Sequence, residues 1–394
     1  MLSQPRGHLG QLGSRRVQLS DQIAAVRHRG PGFDRIRLIA AFMVVLHHCT
    51  TYVTANIAHD FLFALSGGLV TVGSLAVAIF FATSGALVVP GLLRNGDIVG
   101  FGVNRFLRIM PALVTTVLVT VFLVGPLLTQ LGPAGYFADP GTYAYLANAL
   151  FRTVKYLPGV TLDGSDIIVN GALWTLYFEI LSYAALVIAF RAGLVGRRWT
   201  CLGLFFVTYA ANALCWYVPA FAALLPDTIV VFLGLFVYFF AGVCLYRFAG
   251  HIPYGWLLAL AATLLAIASM PLGLGVLVLP VLVPYAVVSL GYSRWLGARP
   301  LRADLSYGVY LNHAVVLTAL LILVPAVDNY FVAVLIVGGG ALLLAGLSWH
   351  FIEAPSLKLK TPAREALRRW RPVFLRSKPA QPAAAPVTTR PSSD

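Results

Sequence analysis

The sequence predicts an all-α, polytopic membrane protein: a helical bundle of about ten transmembrane helices with both termini in the cytoplasm. Three observations predict this fold class. The 394-residue chain is 59% hydrophobic and only 11% charged. Its apolar residues form runs long enough to cross a bilayer. Its basic residues lie almost entirely on one side of those runs.

The composition argues against most soluble proteins. A soluble globular domain usually carries about 25% charged residues and about 45–50% apolar ones. The many apolar side chains also exclude disorder for the bulk of the chain. A net charge of +14 would suggest a nucleic-acid partner in a soluble protein. Here the basic residues flank apolar runs, so we expect a lipid bilayer as partner and no nucleic acid.

Ten apolar runs are long enough to be transmembrane helices. A helix needs about 20 apolar residues to cross a hydrocarbon core of about 30 Å. The predicted spans are 35–54, 69–91, 109–130, 171–193, 199–218, 228–247, 254–271, 273–291, 304–325 and 329–352. Since 32 mostly polar residues precede the first run, which is itself too long for a signal sequence, we expect no cleavable signal.

The basic residues predict the orientation of these spans. Ten spans place both termini on the same side, and Lys and Arg accumulate in cytoplasmic loops. When the termini are placed inside, only Arg152 and Lys155 of all the basic residues fall in outer loops. This asymmetry predicts a multi-pass protein with both ends inside.

The chain divides into three parts. Residues 1–32 form a basic cytoplasmic arm, 33–356 the transmembrane domain, and 357–394 a tail that begins basic and ends in a Pro/Ala/Thr/Ser stretch that predicts disorder. The outer loop 131–170 is aromatic-rich and long enough to form a cap or a binding surface. The basic stretch near 363–371 is expected to lie on anionic inner-leaflet lipid.

Ionisable side chains within the spans are the first candidates for a functional site, because they are costly in a bilayer. Arg37 and His48 are 11 residues apart, so they share one helix face, with His48 about 16 Å deeper than Arg37. Glu179 is predicted at a similar depth, on one face with Thr175 and Tyr183. Each also has a structural interpretation: a snorkelling anchor, an interhelical hydrogen bonder and a protonated carboxyl.

Two further polar groups occur in apolar runs. Ser306, Tyr310 and His313 form one polar stripe at helical spacing. Ser84 precedes Gly85, a pair that is also typical of close helix packing. These residues predict either lining of a tunnel or ordinary packing.

A basic pair lies at the expected cytoplasmic start of the third span. Arg105 and Arg108 are i, i+3 neighbours, and two guanidiniums can clamp a phosphate or pyrophosphate. The alternative is ordinary inner-loop charge. The four cysteines lack metal-ligand spacing, so we expect no metal site.

Together these residues predict a midplane pocket of His, Glu, Ser and Tyr above a basic cytoplasmic mouth. Such a pocket suits transfer of a reactive group from an anionic cytoplasmic donor to an acceptor on the other side. It suits a proton-coupled transporter equally well.

Five blocks, in order, resemble acyltransferase family 3, integral-membrane O-acyltransferases that modify sugars. The resemblance covers about 33–356, and each block alone is weak whereas the ordered set is specific. The blocks are Asp34-x-x-Arg37 followed by His48; Phe80-Phe81-x-x-Ser84-Gly85; Arg105-x-x-Arg108-x-x-Pro111; Trp174-x-Leu176-x-x-Glu179-x-x-x-Tyr183; and Ser306-Tyr307-x-x-Tyr310-Leu311-x-His313 with the closing Phe351-Ile352-Glu353-x-Pro355.

The resemblance implies a stand-alone enzyme of the cell inner membrane, without a fused hydrolase-like domain. It implies acyl-CoA, most often acetyl-CoA, as co-substrate, no permanently bound cofactor, and a glycan or glycolipid hydroxyl as acceptor. The rival classes are a transporter or flippase for a glycan or lipid-linked intermediate and a structural partner in exopolysaccharide assembly. The oligomeric state and the acceptor are left open.

The resemblance also suggests roles for the site residues. Arg105 and Arg108 would bind coenzyme A phosphates, with assistance from Arg37. His48 would act as general base or carry the acyl group transiently, and Glu179 would orient His48 or move its proton. The remaining candidates would shape the tunnel or donate hydrogen bonds: Ser84, Trp174, Tyr183, Tyr310 and His313.

Three positions depart from the family pattern and bear on the acceptor. Thr175 stands where Ser is frequent, Ile180 where a second acidic residue is frequent, and Asn312 where the position is usually apolar.

Overall fold

The computed structural model describes residues 17–27, 30–298 and 301–369 and is built almost entirely of helices. Short helices such as Leu19–Ala25 are left unnumbered here. The numbered helices are α1 (Phe33–Val53), α2 (Val72–Asn95), α3 (Ile98–Val119), α4 (Trp174–Arg191), α5 (Arg198–Tyr217), α6 (Asp227–Arg247), α7 (Trp256–Ser269), α8 (Gly275–Gly291), α9 (Ser306–Leu323), α10 (Tyr330–Ser348) and α11 (Lys360–Arg369).

Within the described residues, eight helices are long and apolar enough to cross a membrane. The helices α7 and α8, of 14 and 17 residues, are shorter and occupy the seventh and eighth predicted runs. They pack against each other as a hairpin, and α8 carries Pro280 and Pro284 in its interior. The prediction of a polytopic helical membrane bundle is confirmed, while the side on which each terminus lies stays a prediction.

Helix α1 lies inside the bundle. It packs against α2, α9 and α10, and α2 packs in turn against α6 and α8. Its neighbours bury Ala40, Ala41, Val44 and Val45. The position of α1 therefore turns its polar face toward other helices rather than toward lipid.

Small residues set the crossing of α2 and α6. A Cβ added at Gly85 would collide with the carbonyl oxygen of Phe239, and one added at Gly242 would collide with the carbonyl oxygen of Ala82. Close backbone approach at glycine is typical of membrane helix pairs, where packing replaces the hydrophobic effect.

The outer loop is a folded cap. It contains the helices Gly132–Ala138 and Pro140–Ala144, the 3-10 helix Tyr145–Leu150, and an antiparallel hairpin of β1 (Thr161–Leu162) and β2 (Ser165–Asp166), in which Thr161 pairs with Asp166. The Tyr136 hydroxyl is buried and donates to the Val121 carbonyl at 2.9 Å. At the end of the loop, Asn170 Nδ2 donates to the Leu311 carbonyl at 2.8 Å, which fixes the cap to α9.

The predicted start of the third span, at residue 109, was wrong because the helix begins earlier in the chain. The structure starts α3 at Ile98, with the Asp97 side chain accepting from the Gly100 N–H, and continues through a π-helical segment, Thr120–Val124, to Leu128. Arg105 and Arg108 interrupt the apolar run in the sequence. They do not end the helix, because both side chains face a cavity inside the protein.

The basic tail begins as a helix that packs on the protein. Helix α11 lies against α3, and Arg364 Nη2 donates to the Gly100 carbonyl at 3.3 Å. We expected this basic stretch to lie on lipid, but the side chain of Arg364 is turned toward the bundle. Residues 1–16, which make up most of the N-terminal arm, lie outside the described residues. So do residues 370–394, for which the sequence predicts disorder.

Candidate active site

Most of the predicted site residues line one cavity, which we call the inner cavity. It has an empty volume of about 690 Å³ and lies among α1, α2, α3, α4 and α9. Thr175 lines it beside Glu179 and Tyr183, as their shared helix face predicts. The predicted site residues that line it are Arg37, Ser84, Arg105, Arg108, Glu179, Tyr183 and Tyr310.

An acidic residue that the sequence analysis missed joins two of the arginines. Arg37 Nη2 and Arg108 Nη2 both donate to Oδ2 of Asp304, each at 2.5 Å. Arg37 also binds Asp34 at 2.7 Å, and Arg108 binds Glu353 at 3.3 Å. These ion pairs fix the two guanidiniums and offset much of their charge.

The protein holds Asp304 in its ionised form. Burial disfavours the carboxylate, but the guanidiniums of Arg37 and Arg108 oppose burial and are assisted by hydrogen bonds from the Ser306 hydroxyl and N–H. The net result lowers the pKa of Asp304 below its ordinary value. The carboxylate therefore bridges two cations over the whole physiological pH range.

Arg105 differs from the other two arginines. Among the described residues no carboxylate forms an ion pair with it, and its guanidinium lies over the Tyr183 ring at 5.8 Å from the centroid. The predicted clamp of Arg105 and Arg108 is therefore unequal. Arg105 is the guanidinium in this cavity with charge available for an incoming anion.

Glu179 accepts hydrogen bonds along the cavity wall. The Tyr183 hydroxyl donates to Glu179 Oε1 at 2.5 Å, and the Ser84 hydroxyl donates to the same oxygen at 3.3 Å. The carboxyl group thus contacts two of the predicted tunnel residues and not His48.

His48 lies in a second, smaller cavity, the outer pocket, with an empty volume of about 250 Å³. Tyr52 lines it from α1, and the cap contributes Ile167, Ile168 and Gly171. His48 Nδ1 is 2.6 Å from Nε2 of His313. The two ring planes differ by only 10°, with centroids 4.9 Å apart.

The hydrogen-bond partners of His313 determine which nitrogens of this pair carry protons. His313 Nδ1 faces the Tyr310 carbonyl at 2.8 Å and the Val309 carbonyl at 3.2 Å. A carbonyl oxygen only accepts, so His313 carries its proton on Nδ1 and its Nε2 is an acceptor. His48 must then donate its Nδ1–H to His313, which leaves Nε2 of His48 with a free lone pair.

An apolar partition separates the two cavities. Along α1 it occupies the interval between Arg37 and His48. The Tyr310 hydroxyl closes it by donating to the Ala172 carbonyl at 2.8 Å and by bonding to the Thr175 hydroxyl. The buried residues of the partition are Ala40, Val44, Ala76, Ala172 and Tyr310.

One predicted site residue lies outside both cavities, and two acidic residues near the arginines were not in the predicted set. Trp174 is 38% exposed and lines a separate outer groove with Trp216, so the structure does not bring it to either cavity. Asp304 was missed because a lone acid at the start of a predicted span gives no sign of its partners, which come from α1 and α3. Glu353 ends the π-helical segment Trp349–Glu353. Such segments are frequent at functional sites, but sequence does not reveal them.

No group of three or more His, Cys, Asp or Glu side chains that could hold a metal ion occurs in the described part of the chain.

The fold and these two cavities define a class: a multi-pass helical membrane protein with a cationic inner cavity and a histidine pair deep in the bundle. Comparison with known proteins gives the family. Residues 31–350 match the acyltransferase domain family, so the chain belongs to it, as the ordered blocks predicted. It is a membrane acyltransferase that transfers groups other than aminoacyl groups, and the transporter alternative is set aside.

Two relatives span nearly the whole chain. One is nodulation protein 10 of Rhizobium leguminosarum bv. viciae, 30% identical over 368 residues that cover 85% of this chain and 95% of the relative. The other is an O-acetyl transferase of Shigella phage Sf6, 26% identical over 342 residues that cover 85% of this chain and 98% of the relative. The latter supports O-acyl transfer. No solved structure gives a significant match.

Proposed function

We propose that this protein moves an acyl group, acetyl in the first instance, from cytoplasmic acyl-CoA to a hydroxyl of an exported or cell-surface glycan across the cell inner membrane. The observation that carries this proposal is the pairing of the two cavities. An arginine-rich cavity lies on one side of an apolar partition, and an imidazole with a free lone pair lies on the other.

The inner cavity suits the donor. Coenzyme A is an anion with a long amide-containing arm, and Arg105 offers a guanidinium that no carboxylate of the described residues pairs with. Arg37 Nε is buried and has no hydrogen-bond partner within the described part of the chain, so it is a second donor available to a phosphate. Glu179 and Ser84 offer acceptors and donors to the amides of the arm.

The outer pocket suits the acceptor. Its wall comes from the cap as well as from α1 and α9, and His48 is the basic side chain that lines it. A glycan hydroxyl that enters beneath the cap would meet Nε2 of His48.

The transfer step requires the acyl end of coenzyme A to pass the partition at Tyr310 and reach His48. There Nε2 of His48 removes the proton of the acceptor hydroxyl while that oxygen attacks the thioester carbonyl carbon. The carbon–sulfur bond breaks, and the coenzyme A thiolate leaves and takes the proton from the imidazolium. His313 keeps His48 in the required tautomer throughout, as a carboxylate does in hydrolase triads. General-base assistance of this kind contributes about 10²–10⁴-fold to the rate.

Direct transfer fits this site better than an acyl-histidine. Acylation of Nε2 would leave a cationic ring, since Nδ1 keeps its proton. Within the described residues no carboxylate contacts His48 or His313 to stabilise that charge, and an unpaired charge in apolar surroundings is costly.

The proposal is tested by supplying membranes that contain the protein with acetyl-CoA labelled in the acetyl group and isolating the glycan. We expect base-labile label on glycan hydroxyls that depends on the protein, because esters are cleaved by base whereas amides are not. Glycan analysis of cells with and without the gene identifies the acceptor.

Label that appears equally without the protein would contradict the proposal. So would protein-dependent movement of glycan across the membrane with no consumption of acetyl-CoA.

A further inference from the structure

A third cavity, the tail cavity, lies next to the inner cavity on the side of the basic tail. It has an empty volume of about 480 Å³ and is open to solvent. Helices α2, α3 and α11 and the residues between α2 and α3 form its walls. Its lining residues are Leu87, Val88, Gly91, Asp97, Phe101, Asn104, Arg105 and Arg364.

One guanidinium connects this cavity with the inner cavity. Arg105 lines both. The Phe101 ring, on the same helix, meets the Tyr183 ring edge-on at 5.8 Å, and Tyr183 lines the inner cavity. A single extended ligand could therefore occupy both spaces.

Basic side chains outnumber acidic ones around the tail cavity, which favours binding of an anion. Lys360 lies within Coulomb range of Arg105, Arg108 and Arg364, so like charges crowd this end of the molecule. Among the residues that the structure describes, none forms a hydrogen bond with the buried Nε of Arg364, and a buried donor without an acceptor is destabilising. The acid that lines the cavity, Asp97, caps α3 through the Gly100 N–H.

We infer that the tail cavity binds the phosphate-bearing nucleotide end of the coenzyme A donor. Arg105 and Arg364 bind its phosphate groups, while Phe101 and the apolar wall of α2 accommodate the base. The arm then runs past Arg105 into the inner cavity toward the partition. This inference rests on the proposed function and extends it, since it makes α11 part of the donor site.

The test is binding of coenzyme A to the purified full-length protein in lipid nanodiscs, with the Arg364→Gln variant against wild type. A lost charge-assisted hydrogen bond predicts a rise in Kd of about tenfold or more.

Lys358→Gln is the matched control, since it removes an exposed charge near α11 outside the cavity. It should leave the Kd unchanged. Gly91→Leu is a second variant that acts by a different route: a Cβ at Gly91 meets nothing within 4 Å, so the larger side chain fills the cavity. It should also weaken coenzyme A binding.

The outcomes separate the two proposals. If wild type does not bind coenzyme A, the proposed donor itself is wrong. If wild type binds coenzyme A and Arg364→Gln or Gly91→Leu binds it equally well, the tail-cavity site is wrong. Equal weakening by Lys358→Gln also overturns it, because the effect would then be general electrostatics at an anionic surface.

Discussion

At the scale of single residues, the site depends on pairs of polar side chains that come from different helices: His48 with His313, and Asp304 with Arg37 and Arg108. Helical spacing predicted that Arg37 and His48 share a face of α1, and both are turned to the interior. It could not predict that His48 binds His313 and not Glu179, because the choice depends on how α9 rotates against α1. Asp304 was missed for the same reason, since its partners come from α1 and α3.

The hydrogen bond from His48 Nδ1 to His313 Nε2 predicts the effect of replacing His313. His313→Leu removes the acceptor for His48 Nδ1–H, so kcat should fall by about 10²-fold or more while the donor KM stays unchanged. His313→Gln places an amide carbonyl near the same position and should restore part of kcat. Steady-state kinetics of both variants check this, and a fully active His313→Leu enzyme would refute the role of His313 as a positioning residue.

The lowered pKa of Asp304 predicts that part of the free energy of unfolding is lost in acid. Folding lowers its pKa, so its contribution is complete above the unfolded carboxyl value of about 3.9 and is lost as pH falls through the lower folded value. Asp304→Asn should cost about 1.5–3 kcal/mol, because it removes the carboxylate shared by two partly buried guanidiniums, each of which keeps one other carboxylate partner.

Thermal unfolding of wild type and Asp304→Asn in detergent, across about pH 3–7, measures this loss of stability. The range brackets the unfolded carboxyl pKa of about 3.9. The exposed Asp328→Asn is the control and should unfold like wild type. An Asp304→Asn protein that is as stable as wild type at neutral pH would show that the bridge adds nothing.

At the scale of elements, apolar runs predicted the helices well and their ends poorly. The error at α3 shows why: a hydropathy run stops at an arginine, whereas the helix continues when that arginine faces a cavity and pairs with acids from other helices. The π-helical segments of α3 and after α10 are likewise invisible in sequence. They depend on how the helix packs, not on local residue preference.

The crossing of α2 and α6 gives a prediction at this scale. Gly242→Ala should destabilise the bundle by about 1–3 kcal/mol, because the new Cβ meets rigid backbone. Gly234→Ala in the same helix is the control, since its Cβ has only an ordinary contact with Asn212 at 3.6 Å. Thermal unfolding of the two variants should differ. Equal melting temperatures would contradict the close crossing.

At the scale of the whole molecule, the distribution of charge predicts an orientation in the membrane that the proposed function requires. If the donor is cytoplasmic coenzyme A, the Arg105 end must face the cytoplasm and the cap must face the acceptor. Sequence supplied this orientation through loop charges alone. It could not supply the partition between the cavities, which is assembled from α1, α2, α9 and the residues just before α4.

Cysteine labelling in intact cells tests the orientation. Cys215 is replaced first, because the other three natural cysteines are buried. Ser165→Cys in the cap should then react with a membrane-impermeant maleimide, and Gly196→Cys in the α4–α5 loop should react only after the membrane is permeabilised. The reverse pattern would invert the molecule and remove the donor from the arginine cavity.

The most direct measurement is single-turnover acetyl transfer by membranes carrying His48→Ala, with the exposed His251→Ala as control. The mechanism predicts that His48→Ala inserts normally and binds coenzyme A like wild type, yet transfers no detectable acetyl group, while His251→Ala transfers at the wild-type rate. Acetylation by His48→Ala at the wild-type rate would show that Nε2 of His48 is not the base.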